Sequence, residues 1–289
     1  MPDEAPLGVV GGSGFYDLEG LERVERLHLH TPFGDPSDDV VLGRLGDRSI
    51  AFIARHGPGH RLSPSEVPYR ANIFALATLG VRSLLSISAV GSLREDVAPL
   101  HFVVPDQLID RTSGTRPATF FGDGIVAHVA LDRPYCPTLS GALQRAVART
   151  GARSHAGGTL LIIEGPAFST RAESFLYQSW GASIVSMTAL PEARLAREAG
   201  MCYACLACVT DYDTWHAEHA SVTVEVVVQN LMRNVETAKR AVVALAPEVP
   251  DPTVCNCCES LHHAIISDLD RVSANRKREL APILSRYGL

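Results

Sequence analysis

Leu206-Ala207-Cys208-Val209-Thr210-Asp211-Tyr212-Asp213-Thr214-Trp215-His216 is the stretch on which the reading of this chain turns. The residues from Cys202 to Val209 are apolar without interruption, as expected of a strand covered on both faces in a parallel sheet. The run stops at two carboxylates. In extended backbone, residues two apart project to the same side, so Asp211 and Asp213 are expected to face one pocket. Open α/β sheets bind ligands beyond the carboxyl ends of their strands. Two carboxylates placed there can serve as an acid and as a reader of N–H groups, such as those on a purine edge. The competing reading is a strand-to-helix turn in which an Asp caps the helix.

Other strands with decorated ends precede this one. Leu7-Gly8-Val9-Val10 runs into Gly11-Gly12-Ser13-Gly14, a turn whose glycines let backbone N–H groups face an anion while Ser13 adds a hydroxyl. The dinucleotide fingerprint fails at Asp17, and no Gly-Lys-Ser or Gly-Lys-Thr loop occurs anywhere. Ile50 to Ala54 is a second apolar strand, ending in Arg55-His56-Gly57-Pro58-Gly59-His60. An arginine there can fork onto two oxygens of an anion, with a histidine beside it. Ser83 to Ser88 is a third, ending in Ala89-Val90-Gly91. Three strand ends thus offer hydroxyl, guanidinium and backbone donors to a single anion.

The remaining pattern is that of an α/β protein. Helices are expected over Pro68–Leu79, Leu139–Arg149, Arg171–Trp180 and Pro191–Ala199. Further strands are expected over His101–Ile109, Gly158–Ile163 and Ser183–Ser186. Residues 115–137, rich in Pro, Gly and aromatics, read as a long excursion. Val224, Val227, Val228, Leu231, Val235, Ala238, Val242 and Leu245 recur at helical spacing, the mark of a core-facing stripe. After Pro247 the composition turns linker-like, and two short helices are expected at Leu261–Leu269 and Lys277–Leu284. The chain is therefore read as one domain over 1–248 with a helical extension of the same domain over 249–289.

A net charge of −6 opposes nucleic-acid or anionic-membrane partners. The N-terminus is acidic and lacks the basic start and apolar core of a signal peptide. No apolar run approaches the roughly 20 residues of a membrane span. A cytoplasmic enzyme is expected. Seven cysteines stand out. Cys202, Cys205 and Cys208 have iron–sulfur-like gaps, but alternation in a strand points Cys205 away from the other two, which leaves small buried hydrophobes. Cys255-Asn256-Cys257-Cys258, followed by His262 and His263, offers thiols and imidazoles without a partner pair at structural-zinc spacing. A redox-active or disulfide-bonded tail is expected rather than zinc, and no metal is assigned.

An anion site, an apolar middle and two carboxylates suit transfer of a glycosyl group to phosphate. Negative charge gathers on the departing base and an oxocarbenium-like sugar forms. A carboxylic acid at the base promotes departure, and bound phosphate is both counter-charge and nucleophile. No cofactor is required beyond inorganic phosphate as co-substrate.

Several motifs carry a resemblance. They are Gly11-Gly12-Ser13-Gly14-Phe15-Tyr16, Arg55-His56-Gly57, Asp106-Gln107-Leu108-Ile109-Asp110-Arg111-Thr112 and Ile163-Glu164-Gly165-Pro166-Ala167-Phe168-Ser169-Thr170-Arg171-Ala172-Glu173. Ser186-Met187-Thr188, Pro191-Glu192 and Thr210-Asp211-Tyr212-Asp213 complete the set. In order, from about residue 7 to about residue 245, they resemble the 5'-methylthioadenosine phosphorylase branch of the trimeric purine nucleoside phosphorylase family. The resemblance implies a single-domain nucleoside-phosphorylase fold, a mixed sheet partly closed into a barrel and flanked by helices. It implies trimers or dimers of trimers with sites near subunit interfaces.

By position, it implies a phosphate site of Ser13, Arg55, His56, Ser88, Ala89 and Thr188. Met187 would lie against the ribose, and Phe168 on the base near Val90 and Gly91. Asp211 and Asp213 would take the N7 and 6-amino edge as the catalytic pair, either of them able to donate the N7 proton, with Asp211 the preferred donor. Val224 and Val227 would line the 5'-methylthio pocket, reached by His128 of an adjacent subunit. Ser186 stands where asparagine is often found and Ala167 where arginine is common. The Cys255-Asn256-Cys257 tail resembles that of microbial members in which such cysteines form disulfides. The implied activity is phosphorolysis of methylthioadenosine, with 6-oxopurine nucleosides (inosine, guanosine) as the alternative substrates.

Overall fold

The structure, a computed structural model, describes residues 6–15, 18, 20–216 and 224–288. Its strands are β1 (Leu7–Gly11), β2 (Glu22–Leu27), β3 (Val40–Leu45), β4 (Arg48–Ala54), β5 (Ser83–Ser92), β6 (Phe102–Val104), β7 (Gln107–Arg111), β8 (Ser154–Ala156), β9 (Thr159–Ile163), β10 (Ala182–Ser186) and β11 (Cys202–Asp211). The helices are α1 (Tyr69–Thr78), α2 (Pro137–Arg149), α3 (Arg171–Ser179), α4 (Ala189–Glu198), α5 (Val224–Leu245), α6 (Ala274–Glu279) and α7 (Ala281–Leu284).

All eleven strands join one mixed sheet whose main path runs β2-β3-β4-β1-β5-β10-β9-β7. At β5 the path branches: β11 pairs with it in parallel from Cys202 opposite Ser83 onward, then carries β6 and β8 on its other edge. The mixed sheet flanked by helices is as expected, but it branches without closing, so the expected partial barrel does not form. β11 shows why its sequence is apolar throughout. Tyr203, Cys205, Ala207 and Val209 enter a core with α1, α4 and α7, while Cys202, Ala204, Leu206 and Cys208 enter a second core with α2 and α5. A strand buried on both faces needs apolar side chains on both. The opposed facing of Cys205 follows from the same alternation.

The structure corrects several expected elements. The strand expected over 101–109 divides at Pro105, which has no N–H for a ladder; β6 joins β11 and β7 joins β9. No helix forms over 261–269, because Ile265 bridges Ala127 and the Ile266 N–H donates to the Val126 carbonyl (3.0 Å), committing that backbone elsewhere. The helix expected over 277–284 is broken at Leu280 into α6 and α7. β2 carried no strand signal: it is an exposed edge of mostly charged residues, without apolar alternation. The extension returns onto the main core through Leu280, Ile283, Leu284 and Tyr287. No described helix is long and apolar enough to cross a membrane.

Candidate active site

The carboxyl ends of β1, β4, β5, β10 and β11 converge on a cavity of about 520 Å³. Of the residues expected there, Ser13, Arg55, His56, Ser88, Ala89, Val90, Gly91, Phe168, Met187, Thr188, Asp211, Asp213 and Val227 all line it. The side chain of Val224 lies outside the described residues. His128 is not on the cavity wall of its own chain; it sits on the loop that pairs with the extension, its N–H donating to the Ala264 carbonyl (2.8 Å).

At the anion end, the Gly12–Phe15 turn is closed by the Phe15 N–H donating to the Gly12 carbonyl (3.1 Å). It lies so close to Arg55 that a Cβ on Gly12 would stand 3.1 Å from Nη1 and 2.6 Å from the Ile87 carbonyl oxygen. Arg55 itself departs from expectation. Its guanidinium is buried and already forked onto Glu192, with Nε donating to Oε2 (2.8 Å) and Nη2 to Oε1 (3.2 Å). Nη2 also donates to Ser86 Oγ (2.7 Å) and Nη1 to the Ile87 carbonyl (3.0 Å). Of five N–H groups, one on Nη1 is left for a ligand, so a two-oxygen grip on an anion is ruled out. The ion pair holds the cation in place, and Tyr203 Oη donates to the same Glu192 (2.8 Å).

His56 donates from Nδ1 to the Leu62 carbonyl (2.8 Å), a partner that can only accept, which leaves the Nε2 lone pair free. Burial and the adjacent Arg55 charge push the His56 imidazole down to about 4, so the ring is neutral at pH 7. The His60 ring stacks on it at 4.2 Å. Thr188 stands at the start of α4, and its hydroxyl makes no cap bond to that helix. Behind it, the buried Arg116 donates through Nη1 to the carbonyls of Met187 and Leu190 and pairs through Nε with Glu164 (3.0 Å). Arg116 thereby fixes the Met187–Leu190 segment on which the site depends.

At the other end, the ladder loses its alternation one residue early. The β11–β5 register slips between Val209 and Asp211, and Asp213 lies past the strand in a turn with φ +50°. Asp211 and Asp213 therefore do not share a face by strand alternation. They meet by another route: the Asp213 N–H donates to Asp211 Oδ1 (2.8 Å), a side-chain-closed turn. Thr210 Oγ1 donates to Asp211 Oδ2 (2.6 Å), and Ser174 Oγ donates to Asp213 Oδ2. Close approach requires Gly91, where a Cβ would stand 2.9 Å from Asp211 Oδ1. Burial pushes the Asp211 carboxyl up to about 6 and raises that of Asp213 as well. An acid that readily holds its proton faces a cavity whose far end presents cationic and hydroxyl donors.

The first turns of α5 line one wall with Val227, Val228, Leu231 and Met232. Val228 was expected in the core stripe, but it is 47% exposed and Met232 54%, so this wall is apolar and open. From Val235 onward the stripe is core, as expected. Ser186 is buried on the cavity wall, and its hydroxyl has no hydrogen-bond partner among the described residues. Ala167 is exposed and not on the wall, between Pro166 and Phe168, which are. Sequence reasoning missed Arg116, Ser174 and the role of Glu192. Only Glu192 carried a signal, a carboxylate in the first turn of the helix that follows Met187-Thr188.

A model of the Phosphorylase superfamily matches residues 6–247. An S-methyl-5'-thioadenosine phosphorylase of Chloroflexus aurantiacus is 53% identical over 283 residues, covering 98% of both chains. One of Thermosynechococcus vestitus is 51% identical, covering 98% of this chain and 99% of its own. Among solved structures, a methylthioadenosine phosphorylase from an antarctic soil metagenomic library superposes with a TM-score of 0.90 at 46% identity, covering 96% of this chain and 98% of that one. The Schistosoma mansoni methylthioadenosine phosphorylase in complex with adenine gives 0.82 at 34% identity, covering 98% and 99%.

Proposed function

The chain belongs to the Phosphorylase superfamily, among its S-methyl-5'-thioadenosine phosphorylases, and we propose that it splits S-methyl-5'-thioadenosine with phosphate into adenine and 5-methylthioribose 1-phosphate. The observation that carries the reading is the pairing, across one cavity, of two buried carboxyls, Asp211 pushed up to about 6 and Asp213 raised above its ordinary range, with a cationic, hydroxyl-rich end. Phosphate lies against Ser13, Ser88, Ala89 and Thr188, accepts from the remaining Arg55 N–H, and donates a hydrogen bond from its own hydroxyl to His56 Nε2. One of its oxygens attacks the anomeric carbon as the bond to the base breaks. Its negative charge also stabilises the sugar cation that develops between them.

Asp211, protonated, donates to N7 so that adenine leaves neutral; Asp213, fixed by Ser174, accepts from the 6-amino group. A 6-oxo base has no N–H to offer there, which disfavours inosine and guanosine. Met187 packs on the ribose, Phe168 on the base, and the apolar α5 wall holds the methylthio group. The half-exposed Val228 and Met232 support completion of that wall by a neighbouring copy, with His128 contributed across the contact in a cytoplasmic homotrimer or dimer of trimers. No cofactor takes part beyond phosphate as co-substrate.

The test is release of base from methylthioadenosine, adenosine and inosine, each with and without phosphate. Phosphate-dependent adenine release, fastest from methylthioadenosine, is expected. Release without phosphate points to hydrolysis, and preference for inosine overturns the substrate reading.

A further inference from the structure

At the amino end of β11, far from the cavity, four cysteines from three parts of the chain meet. Cys136 precedes α2, Cys202 opens β11, and Cys255 and Cys257 come from the extension. Their four sulfurs all lie within 4.8 Å of one another. Cys255 Sγ stands 3.2 Å from Cys202 Sγ and 3.6 Å from Cys136 Sγ. Cys136, Cys202 and Cys257 are buried and Cys255 is half-buried.

We propose that Cys136, Cys202, Cys255 and Cys257 form a structural tetrathiolate site for a soft divalent cation, with zinc as the ion. A tetrahedral centre with Zn–S bonds of about 2.3 Å sets its sulfurs about 3.8 Å apart, close to the spacing found. A disulfide uses sulfurs two at a time at about 2.05 Å, whereas Cys255 here stands nearly equidistant from two others. Thiolate ligands select zinc over magnesium or calcium. On binding, each of the four thiols releases its proton to solvent and gives a lone pair to the metal; no electron is transferred. The centre carries two net negative charges.

The surroundings suit such a charge. The Leu139 N–H at the start of α2 donates to Cys136 Sγ (3.5 Å), and Arg82 hydrogen-bonds the neighbouring Cys258. With four protein ligands the centre has no open position, so its work is structural: it ties the extension to α2 and β11. His262 plays no part; it is exposed and paired with Glu259 (2.8 Å). Local spacing hid the site, because only Cys255 and Cys257 are near neighbours in sequence.

The experiment is metal analysis of the full chain, purified without chelator from zinc-supplemented cells, beside the variant carrying Cys255→Ser and Cys257→Ser. About one zinc per wild-type chain is expected, its loss in the variant, and a melting midpoint lowered by at least about 5 °C when the wild type is stripped. Cobalt substituted into the wild type should show thiolate-to-metal charge transfer and strong tetrahedral visible bands, a readout that does not depend on the variant folding. A metal-free wild type overturns the proposal, whether its denatured mass lies about 4 Da below the reduced chain, as for two disulfides, or equals it. Zinc retained by the variant overturns it equally.

Discussion

The two ends of β11 hold contrasting clusters of titratable groups on one apolar strand. At the amino end, Cys202 meets sulfurs from two other segments, and the groups satisfy one another beneath the extension. At the carboxyl end, a register slip at Thr210 and a left-handed residue at Asp213, just past the strand, bring Asp211 and Asp213 together at an open cavity. Burial thus serves two purposes. At one end it closes a cluster off; at the other it holds carboxyls above their ordinary range where a ligand can reach them. Between the ends lies the Arg55–Glu192 pair, tied to β11 through Tyr203.

Breaking that middle link should have the largest effect. Arg55→Met strands the Glu192 carboxylate, 2% exposed, without its cation. Stability should fall by about 3–5 kcal/mol in urea unfolding, and turnover should be abolished. Adding Glu192→Leu removes the stranded charge, so most of the stability should return while activity stays lost. Activity recovering with stability would show that Arg55 only holds the fold.

The next variant sets the Asp end against the Cys end. Asp211→Asn keeps the geometry: its amide N–H can donate to Thr210 Oγ1, whose hydrogen turns to the Val90 carbonyl (3.2 Å), while Oδ1 still accepts from Asp213. With no proton to give, kcat/KM on methylthioadenosine should drop by about 10²–10⁴-fold. Stability should move the other way. The folded-state carboxyl is raised from 3.8 to about 6, so the native chain holds this proton more tightly than the unfolded one. That advantage is complete below about pH 3.8 and is lost as pH rises to about 6. Relative to wild type, the variant should gain up to about 3 kcal/mol at pH 7.5 and nothing near pH 4. An equal change at both pH values breaks the assignment. The Cys255→Ser and Cys257→Ser variant should do the converse, losing stability while the cavity chemistry is kept.

The same contrast explains what could be read from sequence. The apolar run of β11 and the stripe of α5 were legible because burial on two faces, or on one, leaves a period in the sequence. Most cavity residues were legible because strand ends and family motifs mark them. The fork of Arg55 onto Glu192, the clasp of Arg116 on Met187 and Leu190, and the four-cysteine cluster were not. Each joins residues tens of positions apart or more, and spacing carries no trace of such contacts. The bulge at Thr210 was hidden for a different reason: nothing in Val-Thr-Asp announces an extra residue in a ladder.

Ser186→Ala gives the smallest effect and tests the contrast at its finest grain. Within the Cys cluster the sulfurs contact one another, whereas Ser186 Oγ, buried on the cavity wall, has no partner among the described residues. A buried hydroxyl left permanently unmet costs about 1–3 kcal/mol, so its removal should stabilise the free enzyme if the hydroxyl is idle. If the nucleoside meets it, the free enzyme should change by less than about 0.5 kcal/mol, since cavity water serves in the ligand's absence. The nucleoside KM should then rise by about 2–10-fold at unchanged kcat, the worth of one neutral hydrogen bond. Calorimetric melting together with steady-state kinetics separates the two. A stabilised variant with unaltered KM would show that an open carboxyl end tolerates an unmet polar group without using it.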